Sequence, residues 1–191
     1  MSLWKSLVGR FGSGANDYDE VRIDASTNSL MVIDSAHHEI HEGDHYKIRG
    51  YEALAKGGDK QFLFLTPDTT EWAHMIIGVD NTLSTIIVKL YEAPTYTLGS
   101  ATACTKINRN RNSNNTSSIS CYEDPTVSAT GTLLGQNIFG SGKNSTGGGD
   151  RDTNEIVLKQ GTAYLLDITE INITETNINW LFDWYEHTNK N

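Results

Sequence analysis

The chain has 191 residues, with 24 acidic against 15 basic side chains, a net charge of -9 and a pI near 5.0. That length suits one domain with a real core, or a core domain carrying a terminal arm. The acidity argues against nucleic acid as a partner, because binding it takes a basic stripe that displaces counterions.

No apolar run approaches the roughly 18–20 residues of a membrane span; the best is residues 84–90, STIIVKL. The sequence therefore predicts no membrane insertion. Two cysteines, Cys104 and Cys121, and a start without a signal-like apolar segment predict free, partly buried thiols in a reducing compartment.

Residues 1–11 read as a short amphipathic arm. Leu3, Trp4, Leu7, Val8 and Phe11 fall on one helical face, Lys5 and Arg10 lie off it, and Gly12-Ser13-Gly14 breaks the pattern. An arm this short is not stably helical alone, so it must dock on its own domain, a sister subunit or a larger partner. The predicted division is an arm and hinge over 1–17 and a β domain over 18–191.

Residues 35–46, SAHHEIHEGDHY, hold four of the six histidines. On a helix, His41 to His45 would match H-E-x-x-H, the zinc-hydrolase pattern in which two histidines one turn apart bind the metal beside a glutamate base. Gly43 and Asp44 at its interior positions oppose that, since glycine costs roughly 1 kcal/mol relative to alanine in a helix and the pair favours a turn. The stretch is predicted to form two strands meeting at a turn. His37, Glu39 and His41 then share one face, solvated or hydrogen-bonded; His37, His41 and His45 are the residues a metal would use.

Beyond Tyr18 the sequence reads as strands nearly to its end, at about 20–24, 29–34, 37–41, 45–51, 61–66, 73–79, 85–92, 101–107, 118–122, 132–139, 155–158, 163–169 and 178–184. Alternation such as Ile178-Asn179-Trp180-Leu181 is the period-two mark of half-buried antiparallel strands. The predicted fold is all-β, an antiparallel two-sheet, jelly-roll-like sandwich. Residues 108–117, NRNRNSNNTS, read as a polar surface loop or contact region, and 140–152, GSGKNSTGGGDRD, as a mobile glycine-rich loop.

Enzyme signatures are thin. The chain has no G-x-S-x-G elbow, no C-x-x-C pair, no phosphate-binding loop and no dinucleotide fingerprint. Asp183 and Glu186 read as solvated or ion-paired rather than as a glycosidase couple. The aromatic run from Trp180 to Tyr185 reads as a core-closing strand, with a carbohydrate- or partner-binding platform as the alternative.

Taken in order, VRIDASTNSL, HHEIHEGDHY, LTPDT with HMII, KLYEAPT, NRNRNS, YEDPT, RDTNEIVLK, TAYLLDIT and WYEH resemble a group of tailed-bacteriophage virion structural proteins encoded among head genes. The resemblance implies a non-enzymatic particle component without cofactors, a capsid decoration or auxiliary head protein. A head-fibre or tail-associated receptor- or glycan-binding module is the alternative, and a metal-dependent hydrolase using the histidines a remote one. Its implied location is the virion, assembled in the host cytoplasm, and its implied partners are the capsid protein or other virion components. Association as a homotrimer would bury exposed strand edges. The expected docking residues are Leu3, Trp4, Leu7, Val8 and Phe11 of the arm, or Asn108, Arg109 and Arg111 of the polar loop.

Overall fold

A computed structural model describes residues 35–140, 155–172 and 175–188. The chain divides into two compact units, residues 1–38 and 39–191. The arm at residues 1–11, the strands predicted at 20–24 and 29–34, and all of the glycine-rich loop but Gly140 lie outside the described residues.

One helix, α1 (Ser35–Glu42), is followed by β1 (His45–Leu54), β2 (Asp59–Leu65), β3 (Glu71–Asn81) and β4 (Ile86–Glu92). Next come the short strands β5 (Thr95–Thr97), β6 (Thr102–Ala103), β7 (Ile107–Asn108), β8 (Ser120–Glu123) and β9 (Thr126–Ala129). The described chain closes with β10 (Thr132–Phe139), β11 (Ile156–Leu158), β12 (Ala163–Glu170) and β13 (Thr176–Thr188).

Two antiparallel sheets pack face to face, in the orders β11-β3-β13-β1-β7 and β10-β4-β12-β2-β8-β6, with β5 and β9 forming a separate ribbon. Successive strands β1, β2, β3 and β4 alternate between the sheets, and β10, β11, β12 and β13 do the same in return. The returning strands β12 and β13 insert between the outgoing ones, giving β4-β12-β2 and β3-β13-β1. This interleaving is the eight-stranded jelly roll, here with β5 to β9 inserted between its fourth and fifth strands.

Strand β13 organises the core. It pairs with β1 from His45↔Tyr185 to Leu54↔Thr176 and with β3 from Asn81↔Ile178 to Glu71↔Thr188. Its alternation sends Ile178, Trp180, Phe182 and Trp184 inward, and all four are buried. Phe182 meets Phe62 and Phe64 of the facing sheet edge-on, with ring centroids 4.8 and 5.1 Å apart, and Trp180 packs 5.0 Å from Phe62. Burying each such side chain contributes roughly 1.5–3 kcal/mol. The aromatic run is thus a core strand.

The strand expected at 37–41 is instead α1. The reason lies one residue beyond it: Gly43 adopts φ +90°, the left-handed conformation that ends helices cheaply only at glycine. Its N–H donates to the Ile40 carbonyl at 3.2 Å and the Asp44 N–H to that of Glu39 at 3.0 Å, the paired bonds of a Schellman cap. Gly43 and Asp44 do form a turn, but it joins helix to strand. The expected strand at 101–107 is also broken, into β6 and β7.

At one end of the sandwich the loops after β1, β3 and β12 converge on the buried carboxylate of Glu170. It accepts the Ser84 hydroxyl, the Gly57 N–H at 2.6 Å and the Asn172 N–H at 2.6 Å. The Ser84 hydroxyl first, then the Gly57 N–H, hold this carboxyl below its ordinary value against the opposing effect of burial; the Asn172 N–H and the Lys56 charge add to the lowering. A depressed native value gives stability that is complete above the unfolded value near 4.5 and is lost as pH falls through the folded one. Glu170→Gln should lower the urea midpoint at pH 7, with the gap to wild type narrowing as the titration is repeated below pH 4.5; a gap independent of pH would remove the carboxylate from this role.

Candidate functional site

The histidines singled out in the sequence do not form one constellation. His37 and His41 lie one turn apart on α1, both exposed, whereas His45 opens β1 and is fully buried. Among the described residues none of the three belongs to a cluster of three or more metal-ligating side chains. The H-E-x-x-H reading fails geometrically, because the helix ends at Glu42 and its second histidine is in a strand.

The polar loop completes that helix end. Asn110 Nδ2 donates to the His41 carbonyl at 3.0 Å, Asn115 Nδ2 to that of Glu42 at 3.4 Å and Asn108 Nδ2 to that of Gly43 at 2.6 Å. The first two are carbonyls that the last turn of a helix leaves without partners inside itself; the third belongs to the capping glycine. The loop is also shaped by its own side chains: Asn108 Oδ1 accepts from the Asn110 N–H and Asn110 Oδ1 from the Asn112 N–H, the local bonding asparagine favours in turns. Of the three loop residues expected to dock a partner, Asn108 and Arg109 are engaged within the chain, and Arg111 is exposed. A Cβ on Gly43 would sit 2.5 Å from Ser113 Cβ. Gly43→Ala should therefore destabilise the fold by more than about 1 kcal/mol in chemical denaturation; a neutral effect would contradict the cap.

Two further carboxylates anchor the insertion to the sheets. Glu186 is buried on the inner side of β13, accepting the Trp184 indole N–H at 2.8 Å, the Ser118 N–H at 2.8 Å and the hydroxyls of Ser117 and Ser118, both at 2.5 Å. Asp183 lies on the opposite face, so the two carboxylates cannot act on one substrate. Cys104 and Cys121 face each other beside the β6–β8 pair as free thiols; burial pushes the Cys121 thiol well above its ordinary value.

The densest group of chemically capable side chains lies on the outer face of β1, β13 and β3. Asp183, Tyr185 and His187 share it by alternation along β13, and the register brings His45 and His74 to either side of Tyr185. His45 Nε2 donates to Asp183 Oδ1 at 2.6 Å, and Arg109 reaches Asp183 Oδ2 at 3.3 Å. His74 stacks on Tyr185 with ring centroids 4.7 Å apart. Glu155 Oε1 accepts from His74 Nδ1 at 2.6 Å and from the Tyr185 hydroxyl at 3.1 Å, and the Nε2 atoms of His74 and His187 face each other at 3.0 Å. Neither His74 nor His187 stands out in the sequence, where they are 113 residues apart; only the alternation of Asp183, Tyr185 and His187 hints at a shared face.

A groove of about 480 Å³ lies on the same face, lined by Arg49, Tyr51, Asp80, Asn179 and Leu181 along with Asp183. Tyr51 is 77% exposed at its margin.

Edge strand β10 is the other unusual surface. Its eight residues, TLLGQNIF, carry no charge on a chain of net charge -9. Leu133, Leu134 and Ile138 are exposed, Ile138 by 65%. Gly135 and Asn137 face Leu90 and Val88 and do not fill the space between the sheets there. An apolar cleft of about 220 Å³ results, lined by Ile77, Val79, Val88, Leu134 and Phe139 among others.

No protein-family model matches this chain, and no curated protein shows significant similarity to it.

Proposed function

We propose that this chain is a non-enzymatic structural protein of a tailed-phage virion, a capsid decoration or auxiliary head protein that assembles as a homotrimer and docks on the shell. The observation that carries the assembly reading is β10. Natural sheets guard an exposed edge with charges, proline, brevity or bulges; β10 has one bulge, between Leu133 and Gly135, but is long and uncharged and exposes Leu133, Leu134 and Ile138. Contact with a sister chain would cover Leu133, Leu134 and Ile138 and close the cleft beside them, and in a ring of three that contact is head-to-tail. The jelly roll is compatible with this role, being an architecture of viral capsid proteins, though lectins use it as well. The resemblance to phage head-gene products supplies the rest of the reading.

One observation favours a second role, a receptor- or glycan-binding module on a head fibre or tail. The groove on the outer face joins an exposed tyrosine to carboxylate, amide and guanidinium groups, the mixture of stacking surface and hydrogen-bonding groups that sugars require. Glycan-array binding abolished by Tyr51→Ala would establish it in place of decoration.

Light scattering of the purified chain should give three times the chain mass, and Ile138→Lys should shift it to one. Particles grown with a variant lacking residues 1–11 should lack the protein while the truncated domain remains folded. A wild-type monomer at high concentration that never joins particles would overturn the proposal.

A further inference from the structure

We infer that His74 and His187 form a binding site for one divalent transition-metal ion. The far nitrogen of each ring is already engaged. His74 Nδ1 lies 2.6 Å from Glu155 Oε1, and His187 Nδ1 lies 2.7 Å from the carbonyl oxygen of Thr188. Both neighbours are acceptors, so each Nδ1 carries the hydrogen and donates it. In the neutral rings both Nε2 atoms are then bare, and they face each other at 3.0 Å. Two lone pairs in that position repel unless a cation lies between them.

The surroundings match what a metal asks of its ligands. Histidines that ligate through one nitrogen ordinarily donate the other N–H to a carboxylate or backbone carbonyl, which fixes the ring and raises its basicity; Glu155 does this for His74, and Thr188 for His187. Metal–nitrogen bonds of about 2.0–2.1 Å put two cis ligands about 2.9 Å apart in a square plane and about 3.3 Å apart in a tetrahedron. The observed 3.0 Å lies between the two.

The rings are well held. His74 stacks on Tyr185, whose hydroxyl is fixed to the same Glu155 oxygen, and the rings of His74 and His187 lie 4.8 Å apart. Both rings reach the surface in part, the His74 side chain being 18% exposed and His187 half-buried; their register partners Val157 and Trp72 line a neighbouring hollow of about 330 Å³. Two protein ligands leave the remaining positions to water or to a ligand from another chain. Imidazole nitrogens suit Cu²⁺, Ni²⁺ and Zn²⁺, with Cu²⁺ bound most tightly. The inference does not depend on the virion role, and its failure would leave that role untouched.

The test is titration of the chelator-treated full chain with Cu²⁺ and with Zn²⁺ by calorimetry, and electron paramagnetic resonance of the Cu²⁺ form. One ion per chain is expected, Cu²⁺ tighter than Zn²⁺, with the hyperfine pattern of two imidazole nitrogens. His187→Gln and His74→Gln should each weaken binding more than tenfold, Glu155→Gln by about 10–100-fold through the ring it holds, and His37→Ala with His41→Ala should leave it unchanged. Circular dichroism identifies any variant that fails to fold; the nitrogen count is read on the folded His37→Ala/His41→Ala chain, because those two exposed histidines, one helical turn apart, could themselves supply two imidazoles. No binding at millimolar metal, a spectrum with fewer than two imidazoles, or affinity retained in folded His74→Gln/His187→Gln would overturn the site and leave a proton between the rings.

Discussion

The double pairing of β13 is the constraint on which the rest of the molecule depends. One strand closes the space between β1 and β3, supplies Ile178, Trp180, Phe182 and Trp184 to the core, and turns Asp183, Tyr185 and His187 outward. Because side chains alternate strictly, one register fixes both sets, and a slip by one residue would place indoles in solvent and a carboxylate in the core. Core packing and the chemistry of the outer face are therefore not separable. The aromatics hold the histidines in register.

Around that strand, polar side chains do work that ladder bonds cannot. Glu170 ties together three loops at one end of the sandwich, and Glu186 fastens the insertion to β13 through two serines. Lys60, buried beside the core, is surrounded by Glu52, Glu123 and Asp124 at 2.8–3.0 Å and lies over the rings of Phe62 and Trp180. Burial opposes its charge, and the hydrogen bonds the ammonium donates to Asp124, Glu123 and Glu52 more than offset that, holding it above its ordinary value. In each case a buried charge is accompanied by enough partners to be tolerable.

Most of this architecture is legible in the sequence because it is written in period two. The strands at 45–51, 61–66, 73–79, 85–92, 132–139 and 163–169 all have counterparts, and so does the two-sheet jelly roll. What local pattern could not convey was α1. Its helical state rests on a cap built from Gly43 and on asparagines some 70 residues away, so His37 to His41 alternates convincingly and yet folds otherwise. The same holds for the outer-face cluster. His74, Glu155 and His187 are unremarkable singly, and only the pairing of β3, β11 and β13 brings them together. Short strands such as β5 and β9 have too few residues to show a period.

The interleaved topology also sets a schedule for the nascent chain. Strands β1 and β3 find their central partner only after about 140 and about 110 further residues have been made, since His45 and His74 both pair with Tyr185. Contacts so distant in sequence close slowly, and until β13 leaves the ribosome both flanking strands present open edges of the kind that template aggregation. The facing sheet waits in the same way for β12 to insert between β2 and β4. The order of synthesis is thus not the order of assembly: β13, made late, is the strand that joins β1 and β3 into one sheet.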